Sequence, residues 1–579
     1  MFKYKKRLVD IELTSGHLRL LESGTGKATK DVECWPVNEI LCAKVVSNGP
    51  VTLKELFAQS LDTSAALTET QQSTSSPGGP HLAVLTLRRS HKQPHKWSLH
   101  KSALLAVAPD AVELCRTWEK TINLSLSELS RPRNLLVFVN PFGGKGQALN
   151  IYQKRVKPIF SLAGITTMLI VTERRNHAKE FLLINNLHKY DGVVSVGGDG
   201  LFSEIMQALI GLAQSAATGL SLDSLCHSTV LERTLAASTI PVGFIPAGST
   251  NALNFTLHGN GDPVTAALHI ALGDRMRIDV CSVHRGEQFV QFACSAVSFG
   301  FLGDVLLHSE KMRRMGPARY LMAGSKMLIR NRCYTGAVDF LLSDNAKKPT
   351  GKCHSGCDIC ASAKILPKQL PHNSGTGDKV TQAADSDSSV THSQDSECHP
   401  SGQEGGTWQR AYSQWLHVIG IVTPCVCDLA PDGLSPSGHL SDGCIDVALV
   451  PKLNRFQNCH LFLRVAQPNN DHLSSPSVQL CRVRAFSYTP TCTAKQSDSS
   501  RDINQNFTLP PPGSPSSSDC SFASLGESAR GADGEERKQQ DYGYWNVDGE
   551  VLKQTAETTH FRVHQRLLTV FGRGIEINL

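Results

Sequence analysis

The chain has 579 residues, and at the usual ~100–200 residues per domain that length predicts two to four domains. Apolar residues make up 40 % and charged residues 19 %, which excludes collagen-like and wholly disordered chains. Lys and Arg exceed Asp and Glu by 58 to 52, and a net charge of only +6 argues against nucleic acid as a partner.

The first residues, Met1-Phe2-Lys3-Tyr4-Lys5-Lys6-Arg7, lead into no apolar signal core, so the 18 cysteines are expected as thiols of an unexported, cytoplasmic protein. Leu8–Leu13 alternates with period two, and Ile40–Val46 and Leu82–Leu87 are further strand candidates. A polar loop runs from Thr68 to Pro80. A helix predicted over Asp110–Thr121 places Val112, Cys115 and Trp118 at i, i+3 and i+6, on one apolar face. Strands closed by one helix with an inward Trp resemble a pleckstrin-homology domain, assigned to residues 1–128.

From Arg131 the pattern changes. Strands are predicted at Leu135–Val139, Ile165–Val171, Val193–Val196 and Pro241–Ile245, with helices at His177–His188 and Leu201–Leu212 between them. Strands alternating with helices imply an α/β unit with a parallel sheet covered on both faces, assigned to 129–278. After Arg277 the reading is mostly strand: Asp279–Val283, Phe289–Phe299, Ala337–Leu342, Val418–Val422, Ile445–Val450, Phe561–Val563 and Leu567–Phe571. These predict a β-rich, sandwich-like unit over 279–579. Two inserts interrupt it, 345–406 and 494–540, with too little apolar content to pack. The nearest approach to a spanning segment, Trp415 to Ala430, is broken by His417, Pro424 and Asp428, so no spanning helix is expected.

Three motifs carry the chemistry, each at the end of a predicted parallel strand. Asn140-Pro141-Phe142-Gly143-Gly144-Lys145-Gly146 joins a strand to a helix, where glycines let backbone amides approach phosphate oxygens. It is not a Walker loop, because Gly146 follows the lysine. Gly197-Gly198-Asp199-Gly200 puts a carboxylate, bare of steric cover, where ligands bind in open α/β sheets. Pro246-Ala247-Gly248-Ser249-Thr250-Asn251 offers small residues and hydroxyls after the fourth strand. Taken alone, the first is as readily an ordinary tight turn, the second is usually a helix cap and the third is another loop. All three at successive strand ends form a far more specific signal.

The set resembles the diacylglycerol/sphingosine/ceramide lipid kinases, from about residue 130 onward. Thr172-Glu173-Arg174-Arg175-Asn176-His177-Ala178 resembles that family's adenine-nucleotide segment. Glu204 matches its nucleotide-contacting glutamate. Arg313 and Arg319, in Ser309–Arg319, match arginines offered to phosphates. Asp548-Gly549-Glu550 resembles a C-terminal motif that returns to the ATP site. The resemblance implies ATP with Mg²⁺, Asn140–Gly144 and Gly248–Thr250 holding phosphates, and Gly197–Gly200 facing the lipid. Asp199 is expected as the general base that takes the proton of a primary hydroxyl.

Within that family, three features favour the ceramide branch. They are the N-terminal unit, the cysteines Cys353, Cys357 and Cys360, and Leu306 at the position where sphingosine kinases carry an amine-binding aspartate. Asp304 lies two residues away. Asn251-Ala252-Leu253 and Thr172–Ala178 lean toward sphingosine kinases, so sphingosine and diacylglycerol stand as alternative acceptors. A catalytically silent lipid-binding relative is the alternative of another class. Three cysteines beside His354 fall one short of four zinc ligands, and no metal is assigned to them. Arg88, Arg89, His91, Lys92, Lys96 and Lys101 form a basic stretch expected to meet anionic headgroups such as phosphoinositides at the Golgi or plasma membrane. Lys452–Arg464 is a second basic run, open to calmodulin, and the resemblance implies Ca²⁺ stimulation.

Overall fold

The computed structural model describes residues 1–577 except 24–29, 47–51, 62–78, 220, 313–314, 317, 344–350, 362–363, 366–407, 428–429, 436, 468–474 and 492–540. The insert expected over 494–540 therefore lies outside the described residues, as does most of the Thr68–Pro80 loop.

The chain opens with β1 (Phe2–Tyr4), β2 (Arg7–Leu13), β3 (His17–Glu22), β4 (Asp31–Pro36), β5 (Ile40–Val46), α1 (Leu53–Leu61), β6 (His81–Arg89) and β7 (Trp97–Ala106). These strands form an antiparallel sheet in the order β4-β3-β2-β1-β7-β6-β5. α2 (Ala111–Ser127) closes one face. Its buried stripe is Cys115, Ile122 and Leu126, while Trp118 is partly buried and Val112 is 44 % exposed. The expected face is corrected there: three-residue steps drift around a helix of 3.6 residues per turn, so the stripe bends away from Val112. Leu82–Leu85 and Thr86 are all buried, because β6 packs α2 on one side and the parallel-stranded layer that follows on the other. That two-sided burial explains a continuous apolar run where a surface strand would alternate.

The next layer comprises β8 (Asn134–Val139), α3 (Ala148–Ile151), α4 (Lys157–Leu162), β9 (Thr166–Val171), α5 (His177–Ile184), β10 (Gly192–Gly197), α6 (Asp199–Thr218), α7 (His227–Glu232), β11 (Val242–Pro246), α8 (Ala252–His258) and α9 (Pro263–Leu272). Its strands are parallel, in the order β9-β8-β10-β11. Val, Leu, Ile and Phe fill β8, β10 and β11 because both faces are covered. α5 stops at Ile184, four residues short of the expected end, where Asn185 turns extended and its amide bonds Phe181 O.

The remainder is antiparallel: β12 (Arg275–Arg285), β13 (Gln288–Ala293), β14 (Ala296–Gly300), α10 (Phe301–Glu310), α11 (Ala318–Arg330), β15 (Tyr334–Leu342), α12 (Asp358–Ala361), β16 (Lys364–Ile365), β17 (Trp408–Ile421), β18 (Ile445–Pro451), α13 (Arg455–Ala466), β19 (Gln479–Pro490), β20 (Tyr544–Val547), β21 (Glu550–Lys553) and β22 (Thr559–Phe571). An aromatic core of Phe299, Trp415, Phe486, Tyr488, Trp545 and Phe561 fills it. The strand expected over Phe289–Phe299 is two strands, because the amides of Cys294, Ser295 and Ala296 turn out of the ladder to the Asp548 carboxylate. The two short strands expected at 561–563 and 567–571 are one, kinked at Arg566, whose φ is +58° and whose amide bonds Asp279.

β22 joins the halves. It pairs antiparallel with β12 and β19 and parallel with β11, at Val242–Val570. Phe571 then packs among the residues of the parallel layer. The insert expected over 345–406 also needs correction, since Lys352–Ala361 is ordered into a turn and α12. Cys353, Cys357 and Cys360 there supply apolar sulfur that packs on the main core. No helix among the described residues is long and apolar enough to cross a membrane.

Candidate active site

The three motif loops converge at the carboxyl ends of β8, β10 and β11. Asn140 continues β8 with its amide on Val196 O (3.0 Å), and its side chain accepts from Phe142 N (2.9 Å). Gly144 has φ +58°, and a Cβ there would lie 2.4 Å from Ala247 O. A Cβ on Gly248 would lie 2.4 Å from Gly198 Cα. Ala247 N bonds Gly197 O at 2.7 Å, and Asn251 bridges Gly248 through both side-chain atoms (2.9 and 3.2 Å). The glycines thus let three backbones touch. Pro141 and Gly143 complete the first loop, and Phe142 stands 76 % exposed at its tip. Ser249 and Thr250 occupy the bend between β11 and α8, half-buried.

Asp199 is the first residue of α6, at a helix N-terminus that faces this junction. Its Oδ1 is sealed from water with no hydrogen-bond partner. Burial lifts the carboxyl to about 6, the Asp548 carboxylate adds to the rise, and the amides of Leu253, Asn251 and Asp199 itself oppose it. Asp548, at φ +48°, accepts from Cys294 N (2.6 Å), Ser295 N (2.9 Å) and Ala296 N (3.0 Å). It is pushed up by burial and held back by those amides. Its oxygens are therefore engaged, and it acts on Asp199 as a neighbouring negative charge. Gly549 N bonds Asn546 Oδ1, which shapes the turn. Gly200 has nothing within 4 Å of its Cβ position.

A second group forms beside it. Thr172 is buried, with its amide and hydroxyl both on Val139 O. Arg175 pairs with Glu550 at 2.7 Å. Asn176 caps α5 in the left-handed region. Glu204 is raised chiefly by burial, offset by the amides of Asn176 and Ala178 and by Arg175, and its Oε2 is buried without a partner. Segments 172–178, 204 and 548–550, distant in sequence, are thus one cluster. Glu173 N bonds His177 Nδ1, and Arg174 is held outward in a bidentate pair with Glu180. Arg319 lies on α11, 3.5 Å from Glu310 and bonded to Tyr320 OH (2.7 Å), while Arg313 lies outside the described residues.

A model of the diacylglycerol kinase catalytic domain matches residues 134–283, and one of the ceramide kinase C-terminal domain matches 378–578. The chain is 34 % identical to human ceramide kinase over 84 % of its own length and 81 % of that protein's. It is 30 % identical to ceramide kinase 1 of Caenorhabditis elegans, covering 83 % of this chain and 73 % of that one. This chain belongs to the ceramide kinase family. It is an ATP-dependent lipid kinase that uses a divalent metal. Ceramide kinase-like protein of Homo sapiens is also similar, 26 % identical over 80 % of this chain and 73 % of that one.

The site fits the nucleotide and metal expected of a ceramide kinase family member. It has close-packed backbones at three glycines, a helix N-terminus, and two buried carboxylate oxygens, Asp199 Oδ1 and Glu204 Oε2, with no donor in the protein. Asn251, the last residue of the third motif, adopts the left-handed cap that its side chain suits and ties the loop back to Gly248. Nothing in the local sequence marks His439. Its ring meets the three cysteines, whereas His354, the histidine next to Cys353, accepts from Gly356 N at 3.0 Å.

Proposed function

We propose that this kinase transfers the γ-phosphoryl group of ATP to the primary hydroxyl of ceramide, yielding ceramide 1-phosphate and ADP, with Asp199 as general base. The observation that carries this is the unpartnered, buried Oδ1 of Asp199 at the meeting point of three glycine loops. A carboxylate poised at about 6 accepts a hydroxyl proton as the oxygen attacks phosphorus. Asn140–Gly144 and Gly248–Thr250 present amides and hydroxyls to the phosphates. Thr172–Asn176, Glu204 and Gly549–Glu550 flank the nucleoside. Mg²⁺, when bound, would offset charge on the phosphates, and with Asp199 Oδ1 kept for the proton, Glu204 Oε2 is the buried carboxylate oxygen left to hold it. Arg319 and Arg313 add positive charge, Arg319 by exchanging Glu310 for phosphate.

The acceptor reading has its own support. Leu306 is buried in α10, and the Asp304 carboxylate accepts both of its bonds from Tyr334 OH (2.9 and 2.8 Å). Leu306 offers no anion to the free amine of a sphingoid base, whereas an N-acylated lipid needs none. The names of the relatives point the same way. The N-terminal sheet and α2 are read as a pleckstrin-homology-like unit that meets phosphoinositide headgroups through the exposed Arg88, His91, Lys92 and Lys96. Arg89 is committed to Glu39 and Glu576, and Lys101 is half-buried. α13, which carries exposed Phe456 and Leu463, is the surface on which calmodulin would bring Ca²⁺ stimulation. Replacing Asp199 by Asn should lower turnover about 10²–10⁴-fold while ATP still binds. Undiminished turnover removes the base assignment.

A further inference from the structure

Cys353, Cys357, Cys360 and His439 each offer one ligand atom, and those four atoms lie within 4.8 Å of one another. Cys353 Sγ is 3.7 Å from Cys360 Sγ. Nδ1 of His439 is 3.6 Å from Cys357 Sγ and 4.0 Å from Cys360 Sγ. With Zn–S about 2.3 Å and Zn–N about 2.0–2.1 Å, the edges of a zinc tetrahedron are about 3.8 Å between sulfurs and about 3.6 Å between sulfur and nitrogen. These three separations lie within about 0.4 Å of those edges, the Cys353–Cys360 distance is far beyond a disulfide bond, and all three cysteines are free. Cys357, Cys360 and His439 are buried, His439 to 3 % exposure. The other ring nitrogen, Nε2, has no partner, so the polar contacts of this ring go to sulfur alone.

We propose that these four residues form a closed structural zinc site, Cys₃His, separate from the phosphoryl-transfer centre. The ligand chemistry selects the metal: three soft thiolates and an imidazole in tetrahedral array suit Zn²⁺, and four protein ligands leave no open position for catalysis. The site ties three distant segments. Lys352–Ala361 carries the cysteines, and Ser355 N bonds Ile575 O in the C-terminal tail (2.9 Å). His439 precedes Leu440, whose carbonyl accepts from Asp279 N of β12 (2.8 Å). The tail then carries Arg573 to Asp274 and Glu576 to Arg89 and Trp97. The metal thus closes a long loop and steadies the tail on which the N-terminal sheet docks.

The test is elemental analysis of the purified full-length chain with no metal added. We expect about one zinc per chain, near zero in Cys357→Ser and in His439→Ala, and full occupancy in Cys34→Ser, whose thiol is exposed and remote from the cluster. Because a ligand variant can fail to fold, His439→Cys supplies a four-cysteine site and should keep the zinc. Protein produced with Co²⁺ in place of zinc should show thiolate-to-cobalt charge-transfer and tetrahedral d–d absorption, retained in His439→Cys. Folded, active full-length protein without zinc overturns the proposal. So does zinc retained when Cys357 and His439 are both replaced, or a disulfide between any two of the three cysteines in the freshly purified chain.

Discussion

Asp199 and the glycines around it separate chemistry from packing at the level of single residues. As the proposed base, with its carboxyl lifted to about 6, Asp199 must be deprotonated to work, so the rate should fall tenfold per pH unit below about 6 and level off above it. The residual activity of Asp199→Asn should lack that acid limb, which a pH profile of kcat/KM reads directly. Gly248→Ala forces a methyl group to 2.4 Å from Gly198 Cα, which is backbone and cannot rotate away, and to 2.8 Å from the Asn251 Oδ1 that bonds this loop. It should destabilise the protein by about 1–3 kcal/mol and weaken ATP binding, measured by thermal unfolding with and without nucleotide. Gly200→Ala meets open space in the first turn of α6 and should leave unfolding unchanged, or better by less than about 1 kcal/mol. The short motifs were legible in the sequence because glycine, aspartate and asparagine declare strained turns and helix starts within a few residues.

Elements that cross between layers were harder to read. β22 looks like any C-terminal strand in the sequence, yet its last residues complete the parallel sheet beside β11. A parallel neighbour is set by topology rather than by local pattern, so nothing near Val570 or Phe571 announces it. Residues 129–278 expressed alone should therefore be unfolded or aggregate, with an apolar edge exposed on β11. A cooperative unfolding transition from that fragment would contradict the pairing. The junction of β7 and α9 is similar. Trp97, 1 % exposed, stacks on His269 at 3.7 Å and donates from Nε1 to Glu576. Trp97→Ala should cost about 3–5 kcal/mol by denaturant titration. The basic stretch around it reads as surface charge in the sequence, but Arg89 is tied to two glutamates. Only the structure brings Glu576, 487 residues later in the chain, to that guanidinium. His439 escaped notice for the same reason, being 79 residues beyond Cys360.

At the scale of the whole molecule, the proposed docking of the N-terminal sheet would bring the kinase to the membrane that holds its lipid acceptor. Net charge of +6 is modest, but Arg88 at the end of β6 and His91, Lys92 and Lys96 in the connection to β7 gather part of it on one exposed edge. Replacing Arg88, Lys92 and Lys96 by Ala should weaken sedimentation with anionic vesicles, each lost charge removing about 1 kcal/mol, while turnover on detergent-dispersed lipid stays. Binding that ignores vesicle charge would count against the docking role. The central claim, phosphoryl transfer to ceramide with Asp199 as base, is reached most directly by one radiolabelled ATP assay. It offers ceramide, sphingosine and diacylglycerol separately to the wild-type chain and to Asp199→Asn. The account predicts labelled ceramide 1-phosphate as the dominant product of the wild type and its near disappearance in the variant. Preferential labelling of sphingosine or diacylglycerol, or equal labelling by Asp199→Asn, would contradict it.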